Sequence, residues 1–302
     1  MAKFRDSTWH GIGRLNAEEL PLASADRAIG SIIAETRKLS AEQVEKVLEH
    51  QKQHGLRFGE AAIALGFASA DDVLFALARQ FHYPPYAPEE QRKGSPELVA
   101  MNQPYGVQAE AFRAIRSQIM MRLFGDREER CAIAVVSPDR GDGKTFFSAN
   151  LAVTLAQLGG RTLLVDADMR GPRQHQVFNI DNSAGLSGIL SGRAEPNVIQ
   201  PVNSMPGLFV LTVGIVPPNP LELVERPAFG LLVRELLAKF DHVVVDTPAA
   251  VYGSDSAVIA ARCGAALVVA RQHSSRVGSL QDLVASLGAS TAKVAGVIVN
   301  EF

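Results

Sequence analysis

One nine-residue segment constrains this chain more than any other: Ser137-Pro138-Asp139-Arg140-Gly141-Asp142-Gly143-Lys144-Thr145. An apolar run at 131–137 leads into it, and helical periodicity begins directly after it. A strand that turns through glycines into a helix is suited to receive phosphate. Gly141 and Gly143 let the backbone wrap closely, so that successive N–H groups and the helix dipole face an anion. Lys144 then reaches the β- and γ-phosphates of a nucleotide, and the Thr145 hydroxyl is a ligand for Mg²⁺. The strict G-x-x-x-x-G-K-[ST] pattern wants glycine where Pro138 stands.

The surrounding pattern fits such a loop. Apolar, mostly Val- and Leu-rich runs at 162–165, 208–213, 242–245, 265–270 and 294–299 follow the one at 131–137. Helical stretches around 145–158, 221–239, 254–262 and 276–288 lie between most of them. This alternation predicts an α/β P-loop NTPase fold, a mostly parallel sheet flanked by helices on both faces, with a small helical repeat domain before it. Two of the strands end on aspartate, in Asp166-Ala167-Asp168-Met169-Arg170 and in Asp246-Thr247-Pro248. Ligands of open α/β sheets bind at that edge, so Asp166 and Asp246 are candidates to organise Mg²⁺ beside the loop.

Composition narrows the function classes. The 302 residues carry 30 Lys+Arg against 32 Asp+Glu, which gives no basic footprint for nucleic acid. Two cysteines, Cys131 and Cys263, exclude a disulfide framework and a cysteine-rich metal site, and both read as buried, reduced thiols. There is no apolar leader at the N-terminus and no run of the ~18 apolar residues that a spanning helix needs. The expectation is a cytoplasmic chain whose membrane role comes through a partner.

The loop, Asp166-x-Asp168-x-Arg170 and Asp246-Thr247-Pro248 together resemble the bacterial tyrosine kinases of capsule and exopolysaccharide assembly, of the exopolysaccharide chain-length determinant type. The resemblance covers roughly residues 105–302. It also includes Glu110-x-x-Arg113-x-x-Arg116, similar to the family's oligomerisation motif, and the segments Gly185-Leu186-Ser187 and Pro217-Pro218-Asn219-Pro220-x-Glu222-Leu223. It implies binding of ATP and Mg²⁺ through Gly141, Asp142, Gly143, Lys144, Thr145 and Phe146, with Thr145, Asp166 and Asp246 at the metal. Lys144, Asp166, Asp168 and Asp246 are the implied catalytic residues, Asp168 at the metal or at the substrate hydroxyl. Arg170 is implied at phosphate. Asn300 fits either an adenine contact or a strand-terminal turn, and Asp255 either a site carboxylate or a helix N-cap. The implied assembly is a homo-oligomeric ring in which the stripe of Glu110, Arg113 and Arg116 meets a neighbour's nucleotide edge. The implied partner is the cytoplasmic segment of a membrane polysaccharide copolymerase, which recruits the chain to the inner membrane.

Two departures bear on this expectation. The sequence ends at Val299-Asn300-Glu301-Phe302 without the tyrosine cluster typical of these kinases, so acceptors are expected at Tyr83, Tyr86 or Tyr105, or on another protein. The competing class, the positioning and partitioning ATPases, has a signature lysine five residues before the loop lysine. Here that position is Asp139.

The N-terminal third is different. Residues 1–24 read as a flexible tail, 25–88 as a helical repeat domain, 89–106 as a linker and 107–302 as the nucleotide-binding domain. The repeat has an offset of 29 residues: Ile29-Gly30 corresponds to Phe58-Gly59, and Leu39-Ser40-Ala41-Glu42 to Ala68-Ser69-Ala70-Asp71. Each unit predicts a short helix, a Ser-initiated turn with Ser40 or Ser69 as N-cap, and a longer amphipathic helix. The doubled unit resembles the N-terminal domains of type II secretion and pilus-assembly ATPases, some of which bind cyclic di-GMP. The second unit keeps Arg57-Phe58-Gly59 and Gly66, whereas the first has Ala28 for the arginine and Arg37 for the second glycine. A protein-docking domain is the favoured expectation, with cyclic di-GMP binding through Arg57 the alternative.

Overall fold

A computed structural model describes residues 22–80, 95–124, 130–193 and 198–301. The chain divides into two compact units, one before and one after the junction between Pro85 and Tyr86.

Among the described residues the first unit contains four helices: α1 (Leu22–Arg37), α2 (Ala41–His54), α3 (Phe58–Ala64) and α4 (Ala70–Gln80). Ser40 caps α2 with a reciprocal box, its side chain accepting from the Gln43 N–H while Gln43 accepts from the Ser40 N–H. Ser69 and Asp72 repeat that exchange ahead of α4. The repeat's glycines are contact points. A Cβ at Gly59 would lie 2.8 Å from Val73, and one at Gly30 would lie 3.4 Å from Phe58. Ile33, Val47, Phe58, Ala61, Ala62 and Ala76 form the core. The tail reading at 1–21 lies outside the described residues, and α1 begins at Leu22, inside the proposed tail.

The second unit contains α5 (Val99–Asn102), α6 (Val107–Leu123), β1 (Ala132–Val136), α7 (Lys144–Ala156), β2 (Thr162–Asp166), α8 (Gln174–Phe178), α9 (Leu186–Leu190), β3 (Ile199–Pro201) and β4 (Leu208–Leu211). It continues with α10 (Pro220–Glu225), α11 (Pro227–Lys239), β5 (His242–Asp246), α12 (Asp255–Cys263), β6 (Gly264–Arg271), α13 (Val277–Gly288) and β7 (Lys293–Asn300). The seven strands are ordered β3-β4-β2-β5-β1-β6-β7, all parallel neighbours except the antiparallel β3–β4 pair. Alternate residues of β1 serve opposite faces. Ala132, Ala134 and Val136 join the core under α11 and α12, while Ile133 and Val135 join the one under α6 and α7. The chain leaves β1 toward β2 on one side and returns to β6 on the other. The loop after β1 therefore lies at the point where strand order reverses, the place where open α/β sheets bind ligands.

Five expectations need correction. The first repeat unit does not open on a short helix, since α1 has 16 residues against the 14 of α2. Residues 95–106 are not linker: Leu98 and Ala100 are buried, the Ala100 N–H donates to Asn150 Oδ1 at 2.9 Å, and Asn150 Nδ2 donates to the Glu97 carbonyl at 2.8 Å. The Ser95 N–H donates to the Val177 carbonyl at 3.0 Å, so this segment is part of the second unit. The helical stretch at 221–239 is two helices, because Arg226 before Pro227 is held extended and Pro227 starts a new helix. β3 is an additional edge strand of three residues. Cys263 is buried as expected, but Cys131 is only half-buried.

Candidate functional site

The phosphate loop has the geometry that its glycines imply. Gly141 and Gly143 take φ of +86° and +96°, the left-handed region that side chains disfavour, and α7 starts at Lys144. Lys144 is buried and its Nζ donates to Ser137 Oγ at 2.8 Å and to the Asp139 carbonyl at 3.4 Å. The ammonium thus lies folded against its own loop.

The Asp142 side chain faces into the protein. Its Oδ2 accepts from the Asp139 N–H at 2.9 Å and its Oδ1 from Ser275 Oγ at 2.8 Å, so this carboxylate braces the loop. Any part of Asp142 in anion binding falls to its backbone. Asn300 ends β7 and donates through Nδ2 to the Asp142 carbonyl at 3.1 Å. The last strand is thereby tied to the phosphate loop. Phe146 packs edge-on against Phe112 with ring centres 5.8 Å apart.

The two strand-terminal aspartates come together. β2 and β5 are paired in register, with Asp166 directly opposite Asp246. Both are fully buried. Asp166 accepts three backbone N–H groups, from Asp168 at 3.2 Å, Arg173 at 3.2 Å and Gln174 at 3.0 Å. Asp246 accepts from Ser148 Oγ at 3.1 Å and from Gln174 Nε2 at 2.9 Å. Burial pushes the Asp246 carboxyl up to about 6, against the pull of Lys144 and Gln174. Burial also raises Asp166, reinforced by the charge of Asp246, well above the ordinary carboxylate range. Lys144 moves the other way, depressed by its burial and held up by Asp246 and Asp168. All three shifts express the same fact: these charges are costly where they lie, and a cation with its phosphates would relieve that cost.

The donors around this pair are two carboxylates and a hydroxyl. That all-oxygen set suits a hard divalent cation, and an octahedral Mg²⁺ takes its remaining positions from phosphate and water oxygens. Among the described residues no three His, Cys, Asp or Glu side chains converge closely enough to form a metal cage. Thr145, Asp166 and Asp246 are the oxygen donors whose chemistry fits such a cation.

A cleft of about 910 Å³ opens beside the loop, walled by the loop's glycines with Lys144 to Phe146, by Asp168 and the run from Arg170 to Arg173, by Pro96 and Glu97, and by Tyr252. Asp168 lines it, with Oδ1 accepting the N–H groups of Arg170 at 3.1 Å and Gly171 at 3.0 Å. Arg170 is already committed. Its guanidinium grips both oxygens of Asp255, at 3.2 and 3.1 Å, and lies 5.9 Å from the centre of the Tyr252 ring. Asp255 is the first residue of α12, not its cap, and is buried as the partner of Arg170. Arg173 pairs with Glu97 at 2.6 Å across the cleft wall. The Arg170–Asp255 pairing leaves no spacing in the sequence that could reveal it.

The charged stripe of α6 is less free than its spacing suggests. Arg113 pairs with Glu110 at 2.7 Å and donates to the Pro104 carbonyl at 2.6 Å. Arg116 donates to the Thr154 carbonyl at 2.8 Å, on the neighbouring α7. Both arginines are half-buried, and Glu110 is the exposed member.

Residues 133–302 match the family model described as the CobQ/CobB/MinD/ParA nucleotide binding domain. CapB of Staphylococcus aureus, named as a tyrosine-protein kinase, is 34% identical over 208 residues, which cover 68% of this chain and 89% of CapB. The chain belongs to the bacterial tyrosine-protein kinase family. EpsB of Ralstonia solanacearum, likewise named as a tyrosine-protein kinase, is 35% identical over 211 residues, 69% of this chain. The chain spans only 28% of the length of EpsB. The kinase domain of the Escherichia coli tyrosine kinase ETK superposes with a TM-score of 0.65 at 32% identity, over 71% of this chain and 84% of that one. The likeness is confined to about seven-tenths of the chain in each case.

In the first unit, Arg37 occupies the position of the missing repeat glycine and pairs with Asp72 at 2.6 Å. It joins the two repeat units to one another. Arg57 is exposed at the start of α3, and Gly66 takes φ of +70°. Among the described residues no helix is long and apolar enough to cross a membrane.

Proposed function

We propose that the chain binds Mg·ATP in the cleft beside the phosphate loop and transfers the γ-phosphoryl group to protein tyrosine hydroxyls, in a pathway of exopolysaccharide or capsule assembly. The observation that carries this reading is the in-register pairing of Asp166 with Asp246 beside Thr145, next to an open cleft lined by a third carboxylate, Asp168. Bound Mg²⁺ neutralises charge on the phosphoryl group, and the chain's own residues supply position and field. Thr145, Asp166 and Asp246 hold the cation. Lys144 swings from Ser137 to the β- and γ-oxygens. Asp168, pinned through Oδ1, orients the acceptor hydroxyl through Oδ2. Arg170, held by Asp255, lends positive charge to the cleft wall. Asn300 exchanges its loop contact for the nucleotide base.

The reading extends to a partner and an assembly. The cytoplasmic segment of a membrane polysaccharide copolymerase activates the chain and recruits it from the cytoplasm to the inner membrane, where it controls polysaccharide chain length. Copies associate through the α6 stripe, chiefly through exposed Glu110, with Arg113 and Arg116 shaping its base. The helical repeat unit is a protein-docking module. Isothermal titration of the full chain with cyclic di-GMP is expected to give no heat at micromolar concentration, and a saturable heat that Arg57→Ala removes would overturn the docking reading.

Incubation with γ-labelled ATP, with and without the partner's cytoplasmic peptide, tests the main reading. Label on tyrosine is expected with wild type and is expected to fall by at least about a hundredfold in Lys144→Met, which loses the phosphate-binding charge. Phosphate release with no labelled protein would show instead an ATPase switch of the positioning or partitioning type.

A further inference from the structure

Gln174 belongs to none of the sequence motifs, yet it touches three residues of the nucleotide site at once. It opens the short α8, and its backbone N–H donates to Asp166 Oδ2 at 3.0 Å. Its side chain is fully buried. Nε2 donates to Asp246 Oδ2 at 2.9 Å and to the Thr145 carbonyl at 3.1 Å. A single residue thus links both metal carboxylates to the phosphate loop.

The chemistry of these neighbours dictates which way the amide faces. A carboxylate and a carbonyl are both acceptors, so the NH₂ end must turn toward them; the reversed amide would set oxygen against oxygen. That leaves Oε1 buried and without a hydrogen-bond partner. A buried acceptor left unsatisfied bears its full desolvation penalty with nothing to offset it. The neighbouring Ser148 hydroxyl does not relieve it, since that group lies between the Lys144 carbonyl and Asp246. A donor that arrives with the ligand removes this cost, and hydrated Mg²⁺, which keeps several waters when it binds beside carboxylates and phosphates, carries such donors.

We propose that Gln174 is a positioning residue of the Mg²⁺·nucleotide site, holding Asp246 and the phosphate loop with Nε2 and keeping Oε1 as the acceptor for a water of the hydrated cation. The proposal rests on the reading of this site as one that binds Mg²⁺ with a nucleotide. It gives Gln174 a larger effect on metal-dependent binding, through Asp166 and Asp246, than on nucleotide bound without metal, through the Thr145 carbonyl.

Titration of the full chain with N-methylanthraniloyl-ADP, over a range of Mg²⁺ concentrations and separately in EDTA, tests it. Gln174→Met keeps length and burial without the amide. The Mg²⁺ concentration needed for half-maximal tightening is expected to rise about 10- to 100-fold, as for other groups that orient metal ligands. Affinity in EDTA is expected to fall far less, by no more than the loss of the contact with the Thr145 carbonyl entails. Gln174→Asn, which retains the amide on a shorter stem, is expected to show the same split at smaller size, and it replaces the methionine variant if that one does not fold. Equal losses with and without Mg²⁺, or no change in either, would overturn the proposal. A wild-type chain whose nucleotide affinity ignores Mg²⁺ would instead break the reading of the site itself.

Discussion

The two units treat their carboxylates in opposite ways. In the helical repeat, Asp72 is surrounded by donors: Ser69 offers its N–H and hydroxyl, and Arg37 pairs with it at 2.6 Å. Burial works against ionisation there, but the bonds from Arg37 and Ser69 outweigh it and hold the carboxyl below its usual range. In the nucleotide-binding unit, Asp246 and Asp166 face each other in full burial and both are pushed up. The first arrangement serves stability. The second sacrifices stability of the ligand-free state and leaves a site that a cation completes.

The sharpest way to break this contrast is steric. Gly59→Ala sets a methyl 2.8 Å from Val73 in the packed core of the repeat, an overpacking expected to cost about 1–3 kcal/mol. Hydrogen exchange of the full chain should show faster opening across residues 29–76 and no change in β1, β2 or β5, and Val73→Ala should restore much of the loss. Loss of protection in the sheet as well would mean that the units do not respond separately.

A smaller effect, on the order of 1 kcal/mol for Asp246, is a difference of sign with pH. The folded Asp246 carboxyl, at about 6, binds its proton more tightly than an unfolded one near 3.8. Between those values the folded state carries more protons, so the ligand-free second unit gains stability as pH falls from 7 toward 4. Asp72 lies on the other side, and its contribution is present above the unfolded value and is lost as pH falls through the depressed folded one. Hydrogen exchange at pH 3 and pH 7, corrected for intrinsic rates, should move protection in opposite directions in the two units. Arg37→Ala should reduce the acid loss in the first unit, and Mg·ADP should reverse the trend in the second. Parallel trends in both units would remove the distinction.

The parts of this molecule that were legible in the sequence are those written in contiguous residues. The loop from Ser137 to Thr145, the strands ending on Asp166 and Asp246 and the serine caps at 40 and 69 all have local physical causes, and each lies where its pattern implies. What escaped is held by long-range bonds. The 95–106 segment is secured by Asn150, a side chain about fifty positions away, and its four-residue helix is too short to show a period. Arg170 finds Asp255 across 85 positions, and Gln174 finds Asp246 across 72. Burial of a polar side chain leaves no mark on hydropathy, so the residue that links the site was invisible while the motifs around it were plain. The break at Pro227 was readable in principle, and the apolar period on both sides concealed it.

The register of β2 against β5 has a consequence for how this protein is assembled. Asp166 meets Asp246 only because the two ladders are aligned residue for residue, from Thr162 with His242 onward. Side chains alternate across a sheet, so a slip by one position would turn one carboxylate to the opposite face and leave the other alone. No partially aligned sheet contains half a metal site. On the proposed reading of the site, competence to hold the cation would arise in the same step that zips these two central strands together. A chain still maturing would be blind to Mg²⁺ until that moment, which would make the ion a reporter of completed folding.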